Sequence, residues 1–300
     1  MEFKPILKED KPLFDRYYGG GYYENAHFNF TNLFMWRNPF DIMKCEDNGV
    51  LYLTAKWDGE MMALQPVCAP EKIDDAVCNL ANYFEEIGEP LYFSGIERHF
   101  AESLKDNPKF SFKIESDRDN FDYVYLAENL IKLAGRKFHS KKNHLNAFRK
   151  TYPEAEYLPI TNEIITLCKL ELNNWYKARK DSPDETDDPF IAYERAAIIE
   201  ILNDFSYFSL KGGAIRLNGR IIAFTFGEKL NRDTAVIHVE KADPNIRGAY
   251  PAINQAFIEH EFSDMTYINR EEDMGLEGLR KAKESYQPVK MVEKFSALLQ

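Results

Sequence analysis

The 300-residue sequence has few cysteines and lacks long apolar runs. Its cysteines are scattered and form no C-x-x-C pair, so the sequence indicates neither a disulfide framework nor a cysteine-based zinc site. They are Cys45, Cys68, Cys78 and Cys168. No stretch approaches the roughly 18 consecutive apolar residues of a membrane-spanning helix, and the N-terminus has no signal-peptide apolar region. We therefore expect a soluble, cytoplasmic protein with free thiols.

The sequence also lacks recognisable signatures of metal binding and of nucleophilic catalysis. Its six histidines lie apart, without the spacing of metal ligands, so we expect no metal site. No Ser-His-Asp or Cys-His arrangement can be recognised, although groups that meet only in space leave no such trace. The formal net charge of −11 opposes binding to nucleic acid unless positive charge is concentrated locally.

The same order of secondary-structure elements occurs twice along the chain. Asp58-Gly59 and Asn218-Gly219 each lie between two apolar runs, which predicts a β-hairpin at both places. After each hairpin the apolar spacing indicates a helix, a strand, a helix and a strand. This order predicts an α/β fold with mixed (α+β-type) sheets and helices on both faces. We place the domains at residues 1–130 and 131–300.

A basic segment runs from Arg136 to Lys150. It contains six lysines and arginines and two histidines, and it has no acidic residue. Such a segment could bind phosphate groups, and Arg136, Lys142 and His144 are the preferred phosphate or substrate contacts. The alternative is a solvated start of a helix whose charges face water.

An acidic cluster, Glu271, Glu272 and Asp273, follows the predicted strand "MTYIN" and precedes a short helix. Ligands of α/β folds bind at the carboxyl ends of strands, where a carboxylate could accept a proton from an acceptor or bind an ammonium group. Glu271 and Asp273 are therefore catalytic candidates. The alternative is that Asp273 caps the helix and that the acids stabilise its dipole.

The short helix after the acidic cluster supplies two further candidates. Its spacing predicts a buried face made of Leu276, Leu279, Ala282 and Tyr286. Arg280 would then point toward a cleft or toward solvent, and is a candidate substrate contact. Tyr286 is either a catalytic group or a core residue with an exposed hydroxyl.

Three motifs in order carry a resemblance to a known family. They are "HFNFTNLFMWR" (His27–Arg37), "GRKFHSKKNHLNAFRK" (Gly135–Lys150) and "NREEDMGLEGLRKAKESYQP" (Asn269–Pro288). The sequence resembles a bacterial family grouped with the C-terminal catalytic domain of phosphatidylglycerol lysyltransferase. The resemblance implies two tandem GNAT-like (N-acetyltransferase-like) domains, an architecture shared with the Fem peptidyltransferases. Those relatives move an aminoacyl group from aminoacyl-tRNA to an amine or a hydroxyl.

The resemblance also implies roles for individual residues. The strand "MTYIN" would be the fifth strand of the second GNAT-like unit and would splay from its neighbour to form the acyl-transfer cleft. Arg247-Gly248 lies where acetyl-CoA enzymes have a glycine-rich loop that binds pyrophosphate, but the full glycine spacing is missing. Tyr286 lies near the position of the usual general acid of N-acetyltransferases.

We therefore expect an acyltransferase whose donor is aminoacyl-tRNA, held by its acceptor end, and whose acceptor is a small molecule or a peptide. One alternative is an N-acyltransferase that uses acyl-CoA, and another is a non-catalytic binding module of the same fold. The acidic, proline-containing segment 181–189 is either a lid that recognises a cationic aminoacyl group or a solvated loop. Because the sequence has no membrane segment, a lipid acceptor is not implied.

Overall fold

The computed structural model describes residues 1–19, 22–180 and 189–300, which form two compact units. The first unit comprises residues 1–122, 272–275 and 292–300, and the second comprises residues 123–271 and 276–291. The division therefore falls a few residues before the boundary expected at residue 130, and the end of the chain belongs to the first unit. Strand pairing causes this difference, because a terminal strand can pair with strands that are distant in the sequence.

The first unit contains a seven-stranded mixed sheet in the order β1-β2-β3-β4-β5-β14-β6. Its strands are β1 (Lys4–Pro5), β2 (Met43–Asp47), β3 (Val50–Trp57), β4 (Glu60–Ala63), β5 (Tyr92–Glu97), β6 (Phe112–Ser116) and β14 (Lys294–Leu299). Its helices are α1 (Lys11–Tyr18), α2 (Phe30–Trp36), α3 (Ile73–Ile87) and α4 (Arg98–Lys105). The hairpin predicted at Asp58-Gly59 is confirmed, and both residues have the positive φ of a type I′ turn.

The second unit contains a seven-stranded mixed sheet in the order β13-β7-β12-β11-β10-β9-β8. Its strands are β7 (Asp122–Leu126), β8 (Glu156–Pro159), β9 (Lys211–Leu217), β10 (Arg220–Lys229), β11 (Thr234–Ala242), β12 (Tyr267–Asn269) and β13 (Lys290–Val292). Its helices are α5 (Ala127–Lys132), α6 (His139–Thr151), α7 (Asn162–Lys180), α8 (Pro189–Asn203), α9 (Ala249–Glu261) and α10 (Glu277–Glu284). The hairpin predicted at Asn218-Gly219 joins β9 to β10 and is confirmed.

In the second unit, the short strand β12 is a parallel neighbour of β11 along its whole length, but it covers only the beginning of β11. Their register ends at the pair Val236 and Asn269, although β11 continues to Ala242. The chain after β12 instead stays with β7, because the N–H of Arg270 donates to the carbonyl of Tyr123 at 2.9 Å. A gap therefore opens between residues 237–242 of β11 and the chain that follows β12. We call this gap the wedge.

A β-bulge in β11 decides which side chains face helix α9. Phe226 of β10 is opposite Val239, whereas Gly227 is opposite Ile237, so His238 is the extra residue of β11. A bulge shifts the alternation of side chains by one position. Ile237 and Glu240 consequently share one face: Ile237 belongs to the core beneath α9, and Glu240 binds an α9 side chain.

Helices α5, α6 and α9 share one hydrophobic core with the sheet of the second unit. Phe138, Leu145 and Phe148 of the basic segment are buried in this core, as are Ile253 and Phe257 of α9. None of the helices within residues 1–19, 22–180 and 189–300 is long and apolar enough to cross a membrane.

Candidate active site

A buried arginine and a glutamate face each other across the wedge. Arg270 follows β12 directly, and its Nη2 donates to the carboxylate of Glu240 on β11 at 3.0 Å. Glu240 also accepts a hydrogen bond from Nδ2 of Asn254 on α9 at 2.9 Å. The parting of the two strands makes room for these side chains, because paired strands would bring the backbones to about 4.8 Å from one another.

Two polar atoms in the wedge have no hydrogen-bond partner among the residues that the structure describes. They are the donor Nη1 of Arg270 and the acceptor Oδ1 of Asn254, and both atoms are buried. An unpaired buried polar atom costs about 1–3 kcal/mol. Native proteins contain few such atoms, and each one calls for a physical explanation, such as a role in catalysis. The wedge therefore presents one unpaired donor and one unpaired acceptor on two residues that both bind the carboxylate of Glu240.

Two tyrosines line the wall of the wedge beside Arg270. The guanidinium carbon of Arg270 is 4.8 Å from the ring centre of Tyr286 and 5.7 Å from that of Tyr125. Burial raises the pKa of the Tyr286 hydroxyl above its ordinary value near 10, against the opposing effect of Arg270. The Tyr286 hydroxyl therefore remains protonated at neutral pH and is able to donate a hydrogen bond.

Lys141 is the residue of the basic segment that reaches this cluster. Its ammonium nitrogen is 4.2 Å from the ring centre of Tyr286, a cation–π distance. Burial lowers the pKa of Lys141, and the charge of Arg270 lowers it further. Helix α6 thus connects the basic segment to the wedge.

His238 lies at the base of the wedge, between two carboxylates. Its Nδ1 is 3.0 Å from the carboxylate of Glu271, and its Nε2 is 3.2 Å from that of Glu228. The imidazole is 1% exposed. Burial lowers the pKa of His238, but the hydrogen bonds and charges of the two glutamates outweigh this effect and raise it to about 9. The ring is therefore an imidazolium at neutral pH, and Glu271 is its partner.

Helix α10 buries a lysine instead of its leucines. The face predicted to be buried is wrong for three of its four residues, since Leu276, Leu279 and Ala282 are exposed and Tyr286 alone is buried. Lys283 is buried instead, and its ammonium donates to the carbonyls of Arg270 at 2.6 Å and Glu271 at 3.0 Å. Those two carbonyls need donors, a requirement that apolar spacing does not reveal. Arg280, the other candidate of α10, is half-buried.

The acids that follow Glu271 belong to the first unit and have other surroundings. Asp273 is fully buried, and its carboxylate accepts from the N–H of Gly275 at 2.9 Å and lies 3.4 Å from Nη1 of Arg118. Helix α10 begins only at Glu277, so the interpretation of Asp273 as a helix cap is wrong. It stabilises the turn before the helix, and its catalytic role stays a prediction.

Glu272 takes part in a buried cluster of the first unit. Its carboxylate is 3.1 Å from the ammonium of Lys294 on β14, which also binds Asp122 at 2.7 Å. Lys294 and Asp122 are both completely buried. This cluster holds the C-terminal strand, so the three consecutive acids of the sequence do not form one group.

The preferred phosphate contacts lie on or just before α6. Arg136 and Lys142 are exposed, and His144 is half-buried. Gly248 has a φ of 88°, and a Cβ atom at this position would lie 2.9 Å from the carbonyl oxygen of His144. The absence of a side chain thus allows α6 to approach closely, and this packing alone accounts for the glycine at position 248. Arg247 beside it is exposed, and the substrate-binding roles of all five residues stay predictions.

The structure brings Tyr286 next to Arg270, with Glu271 as the adjoining residue. The sequence reasoning missed Arg270, Glu240, Asn254 and His238. Asn254 gave a usable signal, because an amide side chain in the apolar stripe of a helix needs a partner. His238 and Glu240 gave no such signal, because the face of the sheet on which each side chain lies depends on the bulge. Of the segment discussed as a lid, residues 181–189, residues 181–188 lie outside the described part of the chain, and its role stays a prediction.

Comparison with known proteins identifies the family. Residues 22–298 match the family model described as "Phosphatidylglycerol lysyltransferase, C-terminal". The chain belongs to this family. A conserved protein of unknown function from Bacteroides thetaiotaomicron is similar over its whole length: it is 35% identical over 100% of both chains, with a TM-score of 0.91.

More distant solved structures show the same fold. L-PGS from Bacillus licheniformis is 15% identical, with 98% of this chain and 92% of that chain covered and a TM-score of 0.68. A tandem GNAT protein from the clavulanic acid biosynthesis pathway is 9% identical, with 99% and 98% covered and a TM-score of 0.51. The expected α/β fold of two tandem GNAT-like domains is thus confirmed, and family and fold together indicate an acyltransferase-like protein.

Proposed function

We propose that this family member is an aminoacyltransferase that moves an aminoacyl group from aminoacyl-tRNA to an amine or a hydroxyl, with the transfer taking place in the wedge. One observation carries the proposal: the unpaired Nη1 of Arg270 and the unpaired Oδ1 of Asn254 lie beside the carboxylate of Glu240. The acyl group of an aminoacyl ester carries both a carbonyl oxygen and a neighbouring α-ammonium group. These groups complement the two unpaired atoms.

The proposed geometry assigns a task to each side chain. Nη1 of Arg270 donates to the ester carbonyl and stabilises the negative charge that develops on its oxygen, while Oδ1 of Asn254 and Glu240 accept from the α-ammonium. The nitrogen or oxygen of the acceptor attacks the carbonyl carbon, and the bond to the ribose oxygen breaks. Tyr286 donates a proton to that oxygen and regains one from the acceptor, so protons balance over the cycle.

The basic segment supports a polyanionic donor despite the acidic chain. Arg136, just before α6, and Lys142, on α6, present exposed positive charge, and Lys141 links this helix to the wedge. In the proposal they contact phosphates of the tRNA acceptor end. Such contacts add affinity and a salt dependence without reading a base sequence.

The test is a transfer assay with a pool of radiolabelled aminoacyl-tRNAs and a small-molecule extract of bacterial cells. We expect a labelled acceptor in the presence of the wild-type protein. Arg270→Gln removes a donor to the developing oxyanion and should lower the rate by about 100-fold or more. Arg216→Gln is the matched control, because Arg216 makes its ion pair with Glu156 outside the wedge, and it should leave the rate unchanged.

Two outcomes would contradict the proposal. The first is that the wild-type protein labels no acceptor and retains no aminoacyl-tRNA at low salt. The second is that acetyl-CoA raises the melting temperature whereas aminoacyl-tRNA does not, which would favour the acyl-CoA alternative, since a ligand of the native state stabilises it. If wild type and Arg270→Gln behave alike in every assay, the non-catalytic module remains.

A further inference from the structure

The chain makes an unfavourable turn directly after Arg270. Glu271 has a φ of 57°, in the left-handed region that residues other than glycine seldom adopt. Such a conformation persists only where the surroundings determine it, and such positions cluster at functional sites. The turn matters here because it fixes where the preceding guanidinium enters the wedge.

Hydrogen bonds hold the backbone of this turn from two sides. The N–H of Glu271 donates to Oδ1 of Asn269 at 2.7 Å. Its carbonyl accepts from the ammonium of Lys283 at 3.0 Å and from the N–H of Tyr123 at 3.2 Å. Lys283 also holds the carbonyl of Arg270. The side chain of Glu271 provides a further contact of the turn, because its carboxylate binds the ring of His238.

The two hydrogen bonds of His238 require a charged ring. Only an imidazolium has a proton on both nitrogens, so only this form donates to Glu271 and to Glu228 simultaneously. A neutral ring would leave one of the two carboxylates without its donor, and two negative charges would then face each other in a buried place. Glu228 lies within strand β10, which pairs with both β9 and β11, whereas Glu271 lies in the turn after β12, so we expect Glu271 to be the carboxylate that shifts.

We propose that His238 is a positioning residue of the wedge: its imidazolium fixes the turn at Glu271 and so keeps the guanidinium of Arg270 aimed at the donor substrate. Lys283 assists through the two backbone carbonyls. We call the contacts by which His238 and Lys283 hold this turn the clamp. The consequence for aminoacyl transfer rests on the function proposed above, whereas the clamp itself is a property of the free protein.

The pH dependence has a definite sign. In the described residues Glu228 of β10 and Glu271 are the charged groups that raise the pKa of His238, and burial opposes them. Because this pKa is about 9, the ring keeps both protons and the clamp stays formed up to about pH 8, and the clamp is lost as the pH rises through about 9. Its contribution to the free energy of unfolding is fully present below the ordinary pKa near 6.5 and disappears over the same rise to about 9. The guanidinium of Arg270 should become more mobile over the same pH range.

Nitrogen NMR of the free protein, labelled in histidine and arginine, tests the clamp without a substrate. We expect the His238 ring to keep both protons up to about pH 8 and to titrate near 9. Above that pH the guanidinium protons of Arg270 should exchange faster than the rise in hydroxide concentration alone explains. In His238→Gln the two N–H donors lie on one nitrogen and cannot replace donors on opposite sides of a ring, so exchange at Arg270 should be at least about tenfold faster at neutral pH. His99→Gln in the first unit, where His99 is largely exposed, is the control and should have no effect.

A second variant keeps the test decisive if His238→Gln does not fold. Glu271→Gln preserves the shape of the side chain and removes one of the two charges, so the His238 titration should move down by about one pH unit or more. A wild-type titration near 6.5, or unchanged exchange at Arg270 in the variants, would overturn the proposal. Failure of the transfer assay with an intact NMR titration would instead disprove the proposed function and leave the clamp standing.

Discussion

Replacing Lys283 by methionine tests whether a buried ammonium holds the turn beside the wedge. Methionine keeps most of the apolar volume of lysine but removes the donor to the carbonyls of Arg270 and Glu271. Leaving a buried polar group without its partner costs about 1–3 kcal/mol. The Glu271 carbonyl keeps the N–H of Tyr123, so its loss lies at the lower end of this range. Because methionine also spares the cost of burying a charge, we expect a net destabilisation of about 2–3 kcal/mol.

The measurement is urea unfolding followed by circular dichroism, with the slope of each transition compared between variants. Lys281→Met is the matched control on the same helix, since the Lys281 side chain is 72% exposed and pairs with Glu277 in an i,i+4 arrangement. Removing that surface pair should change the free energy of unfolding by less than about 0.5 kcal/mol. If the two variants have the same stability, the reasoning that Lys283 is a structural donor is refuted.

Two further predictions concern helix α6. Gly248→Ala places a Cβ atom 2.9 Å from the His144 carbonyl oxygen at a residue with positive φ, whereas the control Gly135→Ala has a similar φ and open space around it. Thermal unfolding should show that Gly248→Ala is destabilised by about 1–3 kcal/mol more than Gly135→Ala. Equal stabilities would contradict the close packing of α6. Lys142→Ala removes one proposed phosphate contact, so the logarithm of tRNA affinity against the logarithm of salt concentration should become shallower by about 0.7–0.9. An unchanged slope in filter binding would remove Lys142 from the interface.

The sequence allows prediction of features that depend on neighbouring residues. A hairpin at Asp-Gly or Asn-Gly needs two residues with positive φ and apolar runs on either side, and all of this is local, so both hairpins were predictable. The C-terminal strand was predictable as a strand, but its place between β5 and β6 was not. Pairing over nearly two hundred residues of sequence depends on burial that no local pattern encodes.

The site was harder to predict than the fold, for a physical reason. The acidic cluster suggested a single catalytic group because its charges are adjacent in sequence, but Glu271 and Asp273 have different partners in space. Arg270 belongs to the same motif, yet its importance depends on Glu240, which faces α9 only because His238 is an extra residue in β11. Leu279 shows the converse error, since apolar spacing in a short helix does not require burial.

The unpaired acceptor in the wedge bears on the choice between donors. Glu240 is paired with Arg270, Glu228 and Glu271 share the imidazolium of His238, and Lys141 and Lys283 add two further positive charges, so net charge does not favour either donor. A donor that brings an α-ammonium supplies the hydrogen that Oδ1 of Asn254 lacks, whereas an acetyl group does not. An acceptor atom left unpaired costs about 1–3 kcal/mol, which corresponds to a preference of about 5- to 150-fold for an aminoacyl donor over an acetyl donor. Asn254→Leu removes this acceptor and should abolish the preference in a competition between the two donors, with binding of the acetyl donor unaffected. A preference that survives in Asn254→Leu would mean that the α-ammonium is recognised elsewhere.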